Sequence, residues 1–432
     1  MYEFTFLIKN SYIFEKGYGD LLISDGKITR ISGAGSLAPA EDAPPVGEKE
    51  PAGKKERIHI IDGTGMSLFP AFVDSHTHTD KAMTKERVPN ASGTLSEAIG
   101  NMNRYFTGVG HEESVERSSY MVNRCIRRGT GYLRSHISIV PETELRGWDA
   151  ALELRKKYRD YITIQLVAFP GAVEELKPGD RVYRLLERAL ASGADALGGC
   201  PNLSNDHRPF IDTLFDLAAA FMLPLDLHVD ESEADQADAL EYLAEATMRR
   251  GMEGRVTAGH CTALGSMDKD RAGDIINKVK DAGISIVTLP SCNLFLMGRS
   301  DPKNQRRGTT RIREFIEAGV NISLASDNIR DPFRPFGNGN LLEEALLTAQ
   351  VAQMASPGEI DTLLQMITGN PARAVGLNSY GINEGAPANL VLIDSPDPAS
   401  ALIDQAPVRR VFHRGRPIFE RDIDERHHLP GR

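Results

Sequence analysis

Between Leu68 and Leu377 the chain repeats one pattern eight times, a short apolar run of β type followed by a polar or helical stretch. The runs are Leu68–Asp74, Tyr132–Ile139, Ile162–Phe169, Ala196–Cys200, Leu223–Val229, Arg255–His260, Ile284–Leu289 and Asn321–Ala325. Helical periodicity separates most of them, over 114–128, 142–158, 181–192, 209–221, 232–250, 268–282 and 310–318. Strands alternating with helices predict a parallel sheet, and eight such units in a row predict an α/β fold of the (β/α)8 TIM-type barrel class. An open doubly wound sheet is the alternative. It normally carries a glycine-rich first turn, and none follows the first run.

The 432 residues exceed one ordinary domain and suit a barrel with a small companion. Phe4–Ile8, Asp20–Ile23, Lys27–Ile31 and His59–Asp62 read as strands, with Asp25-Gly26 as a hairpin turn. Ala388–Asp394, Val408–His413 and Pro417–Phe419 mirror them at the other end. The expectation is a small β-sandwich domain composed of 1–66 and 378–432, with the catalytic barrel, 67–377, inserted between. Residues 33–57, rich in Ala, Pro, Gly, Glu and Lys, read as a loop, and 421–432 as a polar, loosely held tail.

Catalytic groups of such a barrel project from the C-terminal ends of its strands. The first run leads into His76-Thr-His78, whose imidazoles share a face because side chains alternate with period two. The second ends near Arg134-Ser-His136, the third carries Gln165, and the fourth ends Gly198-Gly-Cys-Pro-Asn202 with nothing basic. The fifth ends His228-Val-Asp-Glu231, the sixth His260-Cys-Thr262, the seventh Pro290-Ser-Cys-Asn293 and the eighth Ser326-Asp327-Asn328. Three imidazoles and a carboxylate (His76, His78, His228 and Asp327) can hold one divalent ion and leave a position for water. Glu231 and His260 remain as candidates for proton transfer.

These segments resemble the amidohydrolase superfamily, specifically its cytosine deaminase-like branch. The residues that carry the resemblance are Phe72-Val-Asp-Ser-His-Thr-His78, Arg134-Ser-His136, Gln165-Leu-Val-Ala-Phe-Pro170, His228-Val-Asp-Glu231, Arg255-Val-Thr-Ala-Gly-His260, Leu296-Met-Gly-Arg299 and Ser326-Asp-Asn328. The resemblance implies a single zinc or iron ion on His76, His78, His228 and Asp327. It implies that His260 orients the attacking water, that Asp327 passes a proton to the leaving amine, and that Glu231 protonates the ring nitrogen beside the attacked carbon. It also implies that Gln165 contacts the far edge of a pyrimidine-like ring. The chain departs from the bacterial cytosine deaminases at Asn328, where they carry a second aspartate, and at Phe333, where they carry tryptophan. Both positions are taken as substrate-binding and as the place where ring identity is decided. Lys81 resembles relatives that act on substituted triazines.

Each residue has a plainer reading. Glu231 could be an acid at the N-terminus of a helix starting near Ser232, Gln165 a satisfied polar group inside the barrel, and His136 a support for a metal ligand. Asn328 could cap a helix or turn, and Lys81 could form a salt bridge at the mouth.

The expected activity is a metal-dependent aminohydrolase, or deaminase, of a nitrogen heterocycle. Its alternatives are hydrolysis of an alkylamino-substituted triazine, a cyclic-amide hydrolase, and a non-catalytic metal-binding protein. The cyclic-amide hydrolases usually hold two metals on a carboxylated lysine after strand four, where this chain offers none. A net charge of −10 argues against nucleic acid and anionic membranes as partners and leaves a small-molecule substrate. Four cysteines without CxxC spacing suit a reducing cytoplasm. The start lacks the features of a signal peptide, and no apolar run reaches the ~18 residues of a membrane span. A homo-oligomer is expected.

Overall fold

The computed structural model describes residues 5–37 and 58–423. Most of the loop expected over 33–57, Phe4 and the tail beyond Ile423 lie outside the described residues. Five strands come first: β1 (Thr5–Ile13), β2 (Gly17–Ser24), β3 (Lys27–Gly33), β4 (Ile58–Asp62) and β5 (Ser67–Pro70). Eight follow: β6 (Phe72–Thr77), β7 (Thr130–Ser138), β8 (Thr163–Phe169), β9 (Ala196–Gly199), β10 (Leu225–Val229), β11 (Val256–His260), β12 (Ser285–Thr288) and β13 (Ile322–Leu324). β14 (Leu390–Ile393), β15 (Val408–His413) and β16 (Arg416–Glu420) close the chain.

The strands sort into two sheets, and the chain into two compact units: the described residues up to Ala71 with those from Gly381 onward, and Phe72–Tyr380. These crossings fall a few residues from the expected 66/67 and 377/378. The smaller unit is a largely antiparallel sheet in the order β16-β15-β14-β5-β1-β2-β3, with β4 parallel to β1. Asp25 and Gly26 both take positive φ, 52° and 76°, as a tight hairpin between β2 and β3 requires. Alternate residues of β1, Phe6 and Ile8, join Leu21 and Ile23 of β2 and Leu390 and Leu392 of β14 in one core. Phe6 meets Phe412 of β15 edge to face at 5.5 Å, so the two arms of the sheet enclose that core.

The larger unit is the expected (β/α)8 barrel, its strands parallel and in chain order from β6 to β13. The first apolar run is not one strand. Ser67–Pro70 pairs with β14, whereas Phe72–Thr77 pairs with β7. Pro70 has no N–H to donate, which favours ending a ladder there. β6 and β13 are joined by a bridge between Thr77 and Asp327, by the Asp327 N–H donating to the His76 carbonyl at 2.9 Å, and by the Thr77 hydroxyl donating to the Asp327 carbonyl at 2.8 Å. The buried Asp74 carboxylate accepts from the Ser326 N–H (3.0 Å) and hydroxyl (2.5 Å). Closure of the barrel thereby brings residues about 250 positions apart into one cluster.

The helices used below are α1 (Leu95–Gly108), α2 (His111–Ile126), α3 (Arg146–Tyr158), α4 (Arg181–Ala191), α5 (His207–Phe221), α6 (Asp238–Arg250), α7 (Lys269–Asp281) and α8 (Pro290–Leu296). Most match expectation. α1 was not foreseen, although Thr94-Leu-Ser-Glu97 has the pattern of a capped start. The Thr94 hydroxyl accepts from the Glu97 N–H at 3.3 Å. Among the described residues no helix is long and apolar enough to cross a membrane.

Candidate active site

The cluster is built from strand ends. His76 and His78 leave β6 on one face, His228 lies on β10, and Asp327 follows β13. His228 Nε2 lies 3.2 Å from His76 Nε2 and 3.1 Å from His78 Nε2. Asp327 Oδ1 lies 3.4 Å from His78 Nε2 and 3.7 Å from His76 Nε2. All four side chains are buried. Gly259 of β11 gives the His76 ring its room, because a Cβ there would come within 3.2 Å of that ring. Asp327 and His260 hold positive φ, 53° and 68°. Such backbone conformations cost energy, and they concentrate at functional sites.

Burial pushes the His76 and His228 imidazoles well below their ordinary range and lowers His78 as well, so all three are neutral bases. Burial alone would raise Asp327, but His78 at 3.4 Å and the other nearby imidazoles hold it below the usual carboxylate range. Neither carboxylate oxygen of Asp327 has a hydrogen-bond partner. Three neutral imidazole nitrogens and an ionised carboxylate are a divalent-metal donor set. A tetrahedral ion with bonds of about 2.0–2.1 Å separates its ligands by about 3.3 Å, and the separations of His228 and Asp327 from His76 and His78, 3.1–3.7 Å, bracket that value. The residues fit a metal ion.

His260 offers a donor atom in one group with those of His76, His228 and Asp327, all within 4.8 Å of one another. Its Nδ1 is held at 3.1 Å from Asn293 Nδ2, on α8, and at 3.2 Å from Glu231 Oε1. Its Nε2 is buried without a partner. Burial moves His260 down to about 4 and Glu231 well above the usual carboxylate range, so both shifts favour the neutral form. α6 begins at Asp238, not Ser232, so Glu231 heads no helix.

Beneath the cluster lies a network that sequence reading did not assemble. Asp226, two residues before His228 and so on the same face of β10, is fully buried. Its carboxylate pairs with Arg134 at 2.8 Å and with His136 Nε2 at 3.3 Å. The His136 ring lies tilted by 32° against the His76 ring, centroids 4.0 Å apart, and its carbonyl lies 3.2 Å from His78 Nδ1. The period-two spacing of Asp226 and His228 was the available signal.

A cavity of 340 Å³ opens onto His78, His228, Glu231, His260, Asp327 and Asn328. Asn328 lines it, with its Nδ2 donating to Asp331 Oδ2 at 2.6 Å. Phe333 also lines it. Lys81 is buried there with Nζ 3.0 Å from His78 Nδ1, and 5.4 and 5.3 Å from the Phe169 and Phe333 ring centroids. No carboxylate pairs with it among the described residues, so the expected salt bridge does not form. Gln165 does not line the cavity. It sits four residues before the end of β8, roughly 13 Å down the strand. Its Oε1 accepts from Arg134 at 2.9 Å and its Nε2 donates to the Val375 carbonyl at 3.1 Å. The substrate contact expected of Gln165 therefore gives way to the plainer reading of a satisfied polar group.

The sequence pattern of the amidohydrolase family matches residues 129–419. This chain belongs to the amidohydrolase family. It is 32% identical over 404 residues to a pterin deaminase of Rhizobium rhizogenes, covering 92% of this chain and 87% of that protein. It is 30% identical over 432 residues to an N-isopropylammelide isopropyl amidohydrolase of a Pseudomonas species, covering 98% of each. The solved 5-methylcytosine deaminase of Klebsiella pneumoniae, liganded with 5-fluorocytosine, superposes with a TM-score of 0.88 at 31% identity, over 98% of this chain and 99% of that one.

Proposed function

We propose that this amidohydrolase is an aminohydrolase of a pyrimidine-like nitrogen heterocycle, using one divalent zinc or iron ion on His76, His78, His228 and Asp327. The observation that carries it is the approach of His228 Nε2 and of Asp327 Oδ1 to the Nε2 atoms of His76 and His78, at 3.1–3.7 Å, in a buried site. The nature of the relatives supports it, since they include a pterin deaminase, a 5-methylcytosine deaminase and an isopropylammelide hydrolase. β9 is followed by Cys200 rather than a lysine, which supports one ion over the two of the cyclic-amide hydrolases.

An ion held there would lower the pKa of water and supply hydroxide near neutral pH. The chain's own residues move the protons. His260, neutral and with an open Nε2, accepts the proton of the attacking water. Glu231, whose pKa burial raises, donates to the ring nitrogen next to the attacked carbon. Asp327, with no hydrogen bond to satisfy, carries a proton to the departing amine. The ring keeps a carbonyl and the nitrogen leaves as ammonia. Asn328 and Phe333, both on the cavity wall, contact the ring.

The test is an ammonia-release screen over pyrimidines, isocytosine, triazines, pterins and creatinine-like rings, using protein of measured metal content. We expect about one ion per chain and turnover of at least one ring. Metal-loaded protein that releases no amine from any of them refutes the reading.

A further inference from the structure

The catalytic groups account for only part of the cavity. About 150 Å³ suffices for one benzene-sized ring, and this cavity measures 340 Å³. The remaining wall is of another kind. Leu95, Ile99, Met102 and Phe106 all line it, and their spacing of four, three and four residues places them in one stripe along α1. Ile139 and Val140, just beyond β7, line it too. Met102, Phe106 and Val140 form one apolar cluster with Phe333 packed against it.

The placement follows from the barrel. The cluster residues sit at or beside the ends of β6, β10, β11 and β13, whereas the apolar wall comes from segments that continue outward after β6 and β7. A ring whose reacting carbon lies against His228 and Asp327 therefore turns its opposite edge toward α1.

We infer that the site takes a heterocycle bearing an apolar alkyl group on the ring edge opposite the reacting carbon, seated between the α1 stripe and Ile139-Val140. The inference rests on the aminohydrolase reading for the position of the reacting carbon. It goes beyond that reading in naming the substituent. Asn103, Ser138 and Glu142 also line the cavity, but the four side chains of the α1 stripe offer the nitrogens of a polar bicycle no donors.

The test is calorimetric titration of zinc-loaded protein with cytosine, its 1-propyl and 1-butyl derivatives, N4-butylcytosine and pterin, with ammonia release followed in parallel. Burial of each methylene group should tighten binding by roughly 3- to 4-fold, so 1-butylcytosine should bind at least about tenfold tighter than cytosine. Ile99→Asn and Leu95→Asn, each at a half-buried position, should bring that ratio down several-fold in protein with a wild-type melting transition. The inference is overturned if cytosine or pterin binds as tightly as 1-butylcytosine, or if the N4-butyl compound gains as much. It is equally overturned if neither variant lowers the ratio, or if no 1-alkyl compound binds. Alkyl-dependent binding without release of ammonia upholds the apolar arm and strikes only at the proposed reaction.

Discussion

Replacing Asp226 with asparagine tests whether the network beneath the metal cluster is a stability element. Arg134 and Asp226 are both buried, with side chains 3% and 0% exposed, and their charged atoms are 2.8 Å apart. Asparagine keeps the shape but removes the charge, leaving the Arg134 guanidinium with only neutral acceptors, Gln165 Oε1 and the Val375 carbonyl. Breaking a buried pair on one side costs about 3–5 kcal/mol, because an uncompensated charge remains inside. That is a large part of a total stability of about 5–15 kcal/mol. The assay is urea unfolding of metal-free protein followed by circular dichroism, so that loss of metal does not enter. Arg134→Met combined with Asp226→Asn should recover much of the loss, since no charge is then stranded. Burial raises the Asp226 pKa, but His136 and Arg134 outweigh it and hold it below the ordinary carboxylate value. A depressed carboxylate contributes stability above its unfolded pKa of about 3.9 and loses it as pH falls through the folded value. The gap between wild type and Asp226→Asn should therefore be full at neutral pH and narrow below about pH 4. A single-variant loss under about 1 kcal/mol, or strictly additive losses in the double variant, refutes the reasoning.

Asp327→Asn should abolish turnover, by removing both a ligand charge and the proton carrier; near-wild-type kcat rules out that role. Glu231→Gln should retain the metal, since Glu231 lies against His260 and outside the 3.1–3.7 Å set, yet lose most of kcat; metal loss by elemental analysis means Glu231 is a ligand instead. Gln165→Ala should leave KM for the screened substrate unchanged while lowering stability by about 1–3 kcal/mol, the cost of unpaired buried partners; a raised KM with unchanged stability restores Gln165 to the substrate site.

Much of this site was legible because a barrel converts position along a strand into depth. Once the runs were aligned, His76, His78, His228, His260 and Asp327 stood at strand ends, and period two told which way His76 and His78 point. The same rule sets Gln165, whose substrate contact only the resemblance implies, four residues short of the end of β8 and off the cavity wall. α1 is legible too, since its capping pattern and apolar stripe are both written in the sequence.

The sequence by itself determined the eight-unit order, the composite small domain and the residue types that reach the barrel mouth, since periodicity and turn chemistry are local properties. The tertiary structure decided which of those residues meet. The apolar run over 68–74 reads as one strand, and only its hydrogen-bond partners divide it between two sheets. Asp327 reaches His76 and His78 only because Asp74 and Thr77 hold the last strand against the first. Asp226 joins Arg134 and His136 only because β7 and β10 face the same interior. Periodicity fixes the direction of a side chain from its own backbone. The neighbour it finds depends on how segments far apart in the chain close together, and closure is a property of the whole barrel.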